Sequence, residues 1–161
     1  MPNPDRMRRE QLVELLRGGS AHVSILSALN DFPASLHGAK PDHSAHSAWD
    51  LLEHIRIALH DLLEFSTNPE YVEPTWPDDY WPTASKPPSD GAWQASVHAL
   101  EQDLKEFENL VKNPESNLYG EIPWGTNHQT LLREVLLAGD HTSYHTGELV
   151  LLRRMLGAWK A

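Results

Sequence analysis

Two histidines near the end of the chain have a spacing that suits metal chemistry. His141 and His145 stand four residues apart in the segment DHTSYHTGE, within a leucine-rich stretch. On a helix, this spacing aims both imidazoles at one point, as in many zinc sites. The glutamate of the H-E-x-x-H metallopeptidase motif is absent, because Thr142 follows His141, and this argues against a zinc peptidase. A pair of hydrogen-bonded core histidines without a metal is the competing interpretation.

A third ligand has to come from another helix, and His54 is the best-placed candidate. At about 100° per residue, His54 falls at the edge of an apolar helix stripe, next to Leu51 and Ala58. His60 falls on the opposite, solvent-facing side. Three neutral imidazoles with open coordination positions suit Zn²⁺, Ni²⁺, Mn²⁺ or Fe²⁺, and the ligand type does not choose among these ions.

Three polar residues near the pair, Glu148, Tyr144 and Asp140, are weaker candidates. Glu148 shares the helix face of the two histidines, as does Glu134. Glu148 could be a fourth ligand, an acceptor for an imidazole N–H, or the partner of an arginine. The hydroxyl of Tyr144 could reach a bound substrate, although a packing role suits it equally. Asp140 points about 100° away from His141, so a supporting or solvated position is expected.

The other polar residues with possible site roles carry weaker signals. His22 could complete the pocket, but a lone helical histidine is more often structural. Near the end of the last helix, two arginines are expected to complement the helix dipole without a catalytic role. The two arginines are Arg153 and Arg154. The linker histidines His37, His43 and His46 are expected to be solvated, and His128 is expected in the first turn of the last helix. His98 lies in the third helix and is assigned no position relative to the site.

Composition limits the classes of function. At 161 residues, the chain is expected to form one domain, residues 1–161. The net charge of −10 argues against nucleic acid or an anionic membrane as the main partner. No run approaches the roughly 18 apolar residues of a membrane span, and the first residues lack a signal-peptide core, so a cytoplasmic location is expected. The absence of cysteine excludes disulfides and thiolate ligands.

Hydrophobic periodicity predicts four helices, over residues 5–29, 47–65, 89–113 and 126–156. Gly18 and Gly19 weaken the prediction that the first helix is continuous. Ser44 or Ser47 can cap the second helix, and Ser89 and Asp90 can cap the third. The fourth helix begins with a capping box of Thr126 and Gln129 and ends at Gly157.

Because no segment alternates long enough to form a strand, the chain is predicted to be all-α, a four-helix bundle with long crossover connections. The connection between the second and third helices holds six prolines together with four aromatic residues. It is either a lid over a site or a wrapped crossover that the aromatic side chains attach to the bundle. The aromatic residues are Tyr71, Trp76, Tyr80 and Trp81.

These motifs resemble the DinB-like (YfiT-like) superfamily of bacterial four-helix-bundle metalloproteins. The matching segments are LRGGSAH in the first helix, SAWDLLEHIRIALHDLLEFS in the second, YWP and PPS…AW before the third, and TLLREVLLAGDHTSYHTGELVLLRRMLGAW in the fourth. The resemblance implies a metal site formed by His54, His141 and His145. The family pattern has glutamine where this chain has Glu148, which puts the metal preference and the ordinary activity in doubt.

The resemblance implies a class of activity and leaves the substrate open. It favours a metal-dependent thiol S-transferase or hydrolase that acts on a small molecule, with a low-molecular-weight thiol as a possible cosubstrate. A non-catalytic metal-binding stress or interaction protein on the same fold is the alternative, and a metal-free bundle is the third. Family analogy and the apolar surfaces of the first and fourth helices also favour a homodimer.

Overall fold

A computed structural model describes residues 3–159, and this part of the chain is helical, as predicted. It has five α-helices and two short 3-10 turns, Ala34–Leu36 and Asp78–Tyr80. Within residues 3–159, pairing of β type is limited to one isolated antiparallel bridge between Glu121 and Thr130. The helices are α1 Pro4–Arg17, α2 Ile25–Leu29, α3 Ala48–Thr67, α4 Ala92–Lys112 and α5 Leu131–Met155.

The glycine pair divides the first predicted helix in two, so the continuous helix over residues 5–29 is wrong. Gly18 and Gly19 adopt φ angles of 63° and 87°, in the left-handed region that favours glycine. The Gly18 N–H donates to the carbonyls of Glu14 and Leu15 and closes the end of α1. The chain then turns, and Ser24 caps the short α2.

The second predicted helix begins where its cap was expected. Ser47 Oγ accepts from the Asp50 N–H at 3.1 Å, and the Asp50 carboxylate accepts from the Ser47 N–H at 2.9 Å. This reciprocal capping box satisfies two backbone donors that the first turn leaves free, and so it fixes the start of α3. The position of every residue on α3, His54 included, follows from this start.

Two predicted helix starts are wrong by several residues. α4 begins at Ala92 after Gly91, which has no side chain to cap with, so Ser89 and Asp90 are not its caps. α5 begins at Leu131, where Thr130 accepts from the Arg133 N–H. The predicted capping box of Thr126 and Gln129 lies outside the helix. The predicted terminal glycine is confirmed, because Gly157 follows α5 with a φ of 69°.

The four long helices α1, α3, α4 and α5 pack around a shared apolar core. α3 contacts α4 and α5, and α1 contacts the same two helices. Gly139 on α5 permits a close approach of α1, because a Cβ built there would lie 2.6 Å from Leu15 Cγ. No helix within residues 3–159 is both long and apolar enough to cross a membrane. Large apolar side chains that are fully buried include Leu16, Ile25, Leu51, Leu52, Ile55, Leu59, Leu100, Phe107, Leu118 and Leu149.

Arg153, which was expected only to complement the dipole of α5, connects three segments of the fold. Its side chain is buried, and its guanidinium donates to the carbonyls of Ala28, Asn30, Asp31 and Ala158. These bonds satisfy the carbonyls that the end of α2 leaves free. The five donors of a guanidinium suit such a cluster of acceptors, whereas an ammonium would not reach all of them.

Replacing Arg153 with methionine is expected to lower the free energy of unfolding by about 2–4 kcal/mol, because several buried carbonyls lose their donors. Urea unfolding monitored by circular dichroism measures this loss. The matched control is Arg154→Met at the exposed neighbouring position, which should change stability by less than about 0.5 kcal/mol. Equal losses in the two variants would show that Arg153 does not hold the end of α2.

Candidate metal centre

The fold brings together the three histidines selected from the sequence. His54 comes from α3, and His141 and His145 come from successive turns of α5. One ring nitrogen from each histidine lies within 4.8 Å of the other two. The centroids of the three rings are 4.6–4.9 Å apart. The structure therefore contains a three-histidine group that could hold a metal ion, and ligation itself remains a prediction.

The tautomer of His54 is fixed by the connection that precedes α4. The Nδ1 atom of His54 lies 2.8 Å from the carbonyl oxygen of Tyr80. A carbonyl only accepts, so Nδ1 carries the proton, and the neutral ring presents the lone pair of Nε2 to the other histidines. A backbone carbonyl in this position also holds the ring orientation, as the outer hydrogen bonds of metal-binding histidines do.

Glu148 sets the tautomer of His145 in the same way. Its carboxylate accepts from His145 Nδ1 at 2.6 Å, which leaves the Nε2 of that ring without a proton in the neutral state. Of the three roles considered for Glu148, the structure supports the acceptor for an imidazole N–H. Within the described chain, no arginine or lysine forms an ion pair with it. The Glu148 carboxylate is therefore bonded to the His145 ring and is not one of the groups that converge.

The resulting donor set fits a divalent ion. The Nε2 atoms of His54 and His141 lie 3.1 Å apart. Two tetrahedral zinc ligands have nitrogens about 3.3 Å apart, from a Zn–N distance of about 2.0–2.1 Å. Two unprotonated ring nitrogens at this separation repel each other unless a proton or a cation lies between them. Since the His54 proton is on Nδ1, either His141 donates to His54 or both nitrogens face a cation.

Burial keeps His54 and His141 neutral near pH 7. His54 and His145 are buried, and His141 is partly buried. Burial is the main cause that lowers the pKa of His141 to about 4, and the nearby His145 and His54 lower it further. Burial also lowers the pKa of His54, against the opposing effect of the Tyr80 carbonyl. Metal ligation requires neutral imidazoles, so these two rings are ready for it without losing a proton.

Trp81 forms one wall of the group. Its indole stacks on the His54 ring with a centroid distance of 3.9 Å and an interplanar angle of 0°. His46 stacks on Trp81 from the other side at 4.1 Å. The His54 ring is therefore held by a hydrogen bond at its edge and by an indole on its face. The connection between α3 and α4 therefore contacts the group through Trp81, and both interpretations of its aromatic residues, a lid and an attached crossover, agree with this contact.

The weaker candidates lie around the group rather than within it. Tyr144 is 66% exposed, and its ring meets the edge of His145 at a centroid distance of 4.8 Å. Asp140 is exposed. His22, which could have completed the pocket, is exposed and contacts Ser143 Oγ and its neighbour's carbonyl.

The remaining histidines follow the predictions only in part. His43 and His60 are exposed, as expected. His37 was expected to be solvated, but it is buried and stacks on Trp93 at 3.7 Å, because the linker folds back onto α4. His46 is also partly buried, against Trp81. The predicted position of His128 in the first turn of the last helix is wrong. It precedes α5, and its Nδ1 lies 2.8 Å from the Glu121 carboxylate.

A carboxylate that was not selected from the sequence lies beside the group. Asp61 accepts from the hydroxyls of Tyr71 at 2.6 Å and Tyr80 at 2.7 Å. Burial and this carboxylate raise the pKa of both tyrosines above the usual range, so both hydroxyls remain donors. The signal for Asp61 was available, because it follows His54 by seven residues and therefore lies on the same face of α3.

Glu134, which shares the histidine face of α5, lies deeper in the fold. It is fully buried, and both of its carboxylate oxygens accept from Arg133 Nη1 at 2.9 Å. Burial raises the pKa of Glu134, and the adjacent guanidinium opposes that shift. Glu134 does not reach the three histidines, so it is not a candidate ligand.

Comparison with known proteins gives no match: no protein-family model, no curated protein and no solved structure matches this chain. The resemblance to the DinB-like superfamily therefore rests on the sequence motifs, and the site is argued from its own geometry.

The stability of the metal-free protein is expected to decrease as the pH falls from about 6.5 towards 4. The pKa of His141 is about 4 in the folded chain and 6.5 in its ordinary state, so the unfolded chain binds more protons in this interval. The contribution of His141 to the free energy of unfolding is therefore fully present above pH 6.5 and is lost as the pH falls towards 4. Urea unfolding at several pH values measures the slope.

Two variants isolate this contribution from that of the carboxylates. His141→Gln removes the titrating ring, so its stability should depend less on pH between 4 and 6.5. His60→Gln changes an exposed histidine on α3 and should keep the slope of the unchanged protein. The same slope in all three proteins would contradict the assignment to His141.

Proposed function

We propose that the chain is a metal-dependent enzyme, of the thiol S-transferase or hydrolase type, that binds a divalent ion through His54, His141 and His145. The observation that carries the proposal is the agreement between tautomers and geometry. Tyr80 and Glu148 accept the Nδ1 protons of two rings, the Nε2 of His54 then faces the Nε2 of His141 at 3.1 Å, and one ring nitrogen of His145 lies within 4.8 Å of both. Zinc, nickel, manganese and iron all accept such ligands.

The surroundings of the group favour a catalytic site over a purely structural one. Structural zinc sites are closed by four protein ligands, whereas catalytic sites keep a position open for water or substrate. Here three histidines converge, Glu148 is bonded to His145 and is not one of the converging groups, and a cavity of about 510 Å³ is lined by His54 and His141. A bound divalent ion would lower the pKa of a thiol or a water molecule and hold it next to an electrophile.

The residues of the chain have distinct tasks in this proposal. Glu148 holds the proton on His145 Nδ1 and so keeps the lone pair of Nε2 available. Tyr80 does the same for His54 through its carbonyl. Trp81 covers one face of His54 and excludes water from that side. Tyr144 stands at the exposed edge of the site, where its hydroxyl could contact a substrate.

The finer architecture is part of the same proposal. We propose that α1, α3, α4 and α5 form a DinB-like four-helix bundle in which the segment between α3 and α4 is the long crossover. We also propose a cytoplasmic bacterial protein, with a low-molecular-weight thiol as its cosubstrate. Apolar side chains exposed on α1 and α5, among them Leu15, Leu136, Leu151 and Met155, support the proposed homodimer.

Protein purified without a histidine tag is expected to bind about one divalent ion per chain. His54→Ala, His141→Ala and His145→Ala should each remove stoichiometric metal, because two imidazoles alone hold such an ion weakly. Inductively coupled plasma mass spectrometry after gel filtration gives the stoichiometry. His60→Ala is the matched control on α3 and should keep the ion. Full metal content in the His54 and His141 variants would refute the ligand assignment.

Glu148 provides a graded version of the same measurement. Glu148→Ala removes the acceptor of His145 Nδ1 and should weaken metal binding by about 10–100-fold, the usual effect of losing such a partner. Glu148→Gln keeps an acceptor oxygen and should lie between this variant and the unchanged protein. Asp140→Asn, which changes an exposed carboxylate about two turns earlier on α5, is the control.

Metal-dependent turnover is expected with the loaded protein. The assay combines a panel of thiols, such as cysteine and glutathione, with electrophiles such as 1-chloro-2,4-dinitrobenzene, and adds p-nitrophenyl esters and anilides for hydrolysis. Activity should require metal, be lost in His141→Ala and be kept in His60→Ala. Normal metal loading without turnover on any substrate would favour the alternative, a non-catalytic metal-binding stress or interaction protein.

A further inference from the structure

The cavity that begins at the histidine group is large enough to hold a small molecule. Its volume of about 510 Å³ falls within the range of about 300–1,000 Å³ that is typical of ligand pockets. A second cavity of about 430 Å³ shares four lining residues with it and extends it towards Arg133. The shared residues are Asp61, Leu62, Glu73 and Leu137. The two cavities therefore form one groove with an apolar floor and two carboxylates at its middle.

The charge of this groove is not balanced by the protein. Both oxygens of Asp61 accept from tyrosine hydroxyls, which fix the carboxylate in place without neutralising it. Within residues 3–159, no lysine, arginine or histidine forms an ion pair with Asp61 or Glu73. At the far end, Glu134 is paired with Arg133, so the surplus charge at the middle of the groove is negative.

Aromatic rings complete the wall on the side of the connection between α3 and α4. Trp76 and Tyr80 both line the first cavity, with ring centroids 5.4 Å apart. The Trp76 side chain is 68% exposed, although it lies only 6.4 Å from the His54 ring. An exposed indole that packs against a functional group rather than in the core is available to a ligand. Indole faces attract cations, most strongly where carboxylates add to the field.

We propose that this groove binds the ammonium group of a substrate between Asp61, Glu73 and Trp76. The proposal rests on the proposed function, because it assigns the substrate class of the same site. Leu62 and Leu137 contact the apolar body of the substrate, and its reactive end lies towards His54 and His141. The substrate class is therefore an amine, primary or quaternary, that carries a short apolar chain and a reactive group.

Choline and its uncharged isostere 3,3-dimethylbutan-1-ol test this proposal directly. The two molecules have nearly the same shape, and the ammonium of choline has no lone pair with which to bind a metal. Titration followed by ¹H–¹⁵N NMR should show saturable shifts around the groove, with choline binding about tenfold or more tightly than the isostere. Equal affinities, or no saturable shifts with choline, would overturn the proposal.

Variants locate the site. Glu73→Gln and Trp76→Leu change exposed side chains, so they should fold normally, and each should weaken choline binding about fivefold or more. Isostere binding should be unchanged in Glu73→Gln and should weaken less than choline binding in Trp76→Leu, because the indole face attracts only the cation electrostatically. Glu70→Gln is the matched control, since it removes one exposed carboxylate from the same connection, outside the groove. The same choline affinity in Glu73→Gln and Glu70→Gln would contradict the proposed contact.

The titrations are carried out on both the zinc-loaded and the metal-free protein, which separates this proposal from the proposed function. Asp61, Glu73 and Trp76 are not in the histidine group, so preference for choline should persist in metal-free protein. Failure of the histidines to hold zinc would remove the metal site while the choline preference still stood. Full zinc loading without a choline preference would overturn the ammonium site alone.

Discussion

The hydrogen bond from His54 Nδ1 to the carbonyl of Tyr80 is the interaction on which the rest of the site depends. It joins a regular element, α3, to the irregular connection that follows it. With Tyr80 held there, Trp81 stacks on the His54 ring. The Tyr80 hydroxyl donates to Asp61, which lies seven residues after His54 on the same face of α3. One segment therefore sets the tautomer of a candidate ligand, covers its face and lines the adjoining cavity. A displacement of this segment would alter all three together.

The two glutamates on the histidine face of α5 illustrate how position decides the role of a carboxylate. Glu134 is fully buried, and its charge is balanced by Arg133. Glu148 is partly exposed, and its carboxylate accepts from His145 Nδ1 instead of pairing with an arginine. Glutamine at position 148, which the family pattern leads one to expect, could accept the same hydrogen bond through its amide oxygen. The glutamate keeps this geometry and adds a negative charge, which strengthens His145 as a donor towards a cation.

Helix periodicity accounts for the part of the site that could be predicted. The convergence of His54, His141 and His145 follows from counting about 100° per residue on two amphipathic helices. The helix interiors were predicted well for the same reason. The predicted helix ends were less accurate. Several neighbouring serine, threonine and aspartate residues could each act as a cap, and only the local backbone geometry decides which one does. The glycine pair gave a correct warning of a break, but nothing in its spacing gave the direction of the turn.

The irregular segments could not be predicted, because their contacts have no period. A carbonyl is present at every residue, so no sequence pattern marks that of Tyr80 as the partner of His54. His37 is buried against Trp93 although its linker is polar, since the stacked rings and a hydrogen bond to the Phe32 carbonyl replace its hydration.

The charges of the site form a consistent whole. Three neutral imidazoles would leave the full charge of a divalent ion at one end of the groove, and this charge alone would repel a cationic ligand nearby. Asp61 and Glu73 line the cavity that also contacts His54 and His141, and Glu148 accepts from the far side of the His145 ring, so three carboxylates belong to the surroundings of the candidate site. Screening by these carboxylates is what would allow a cation and a metal ion to share one groove. An anionic substrate would instead meet the carboxylates before it reached the ion. In the proposed site, the negative wall would therefore select substrates by charge, whereas the ion held by the histidines would select them by the affinity of their reacting group for the metal.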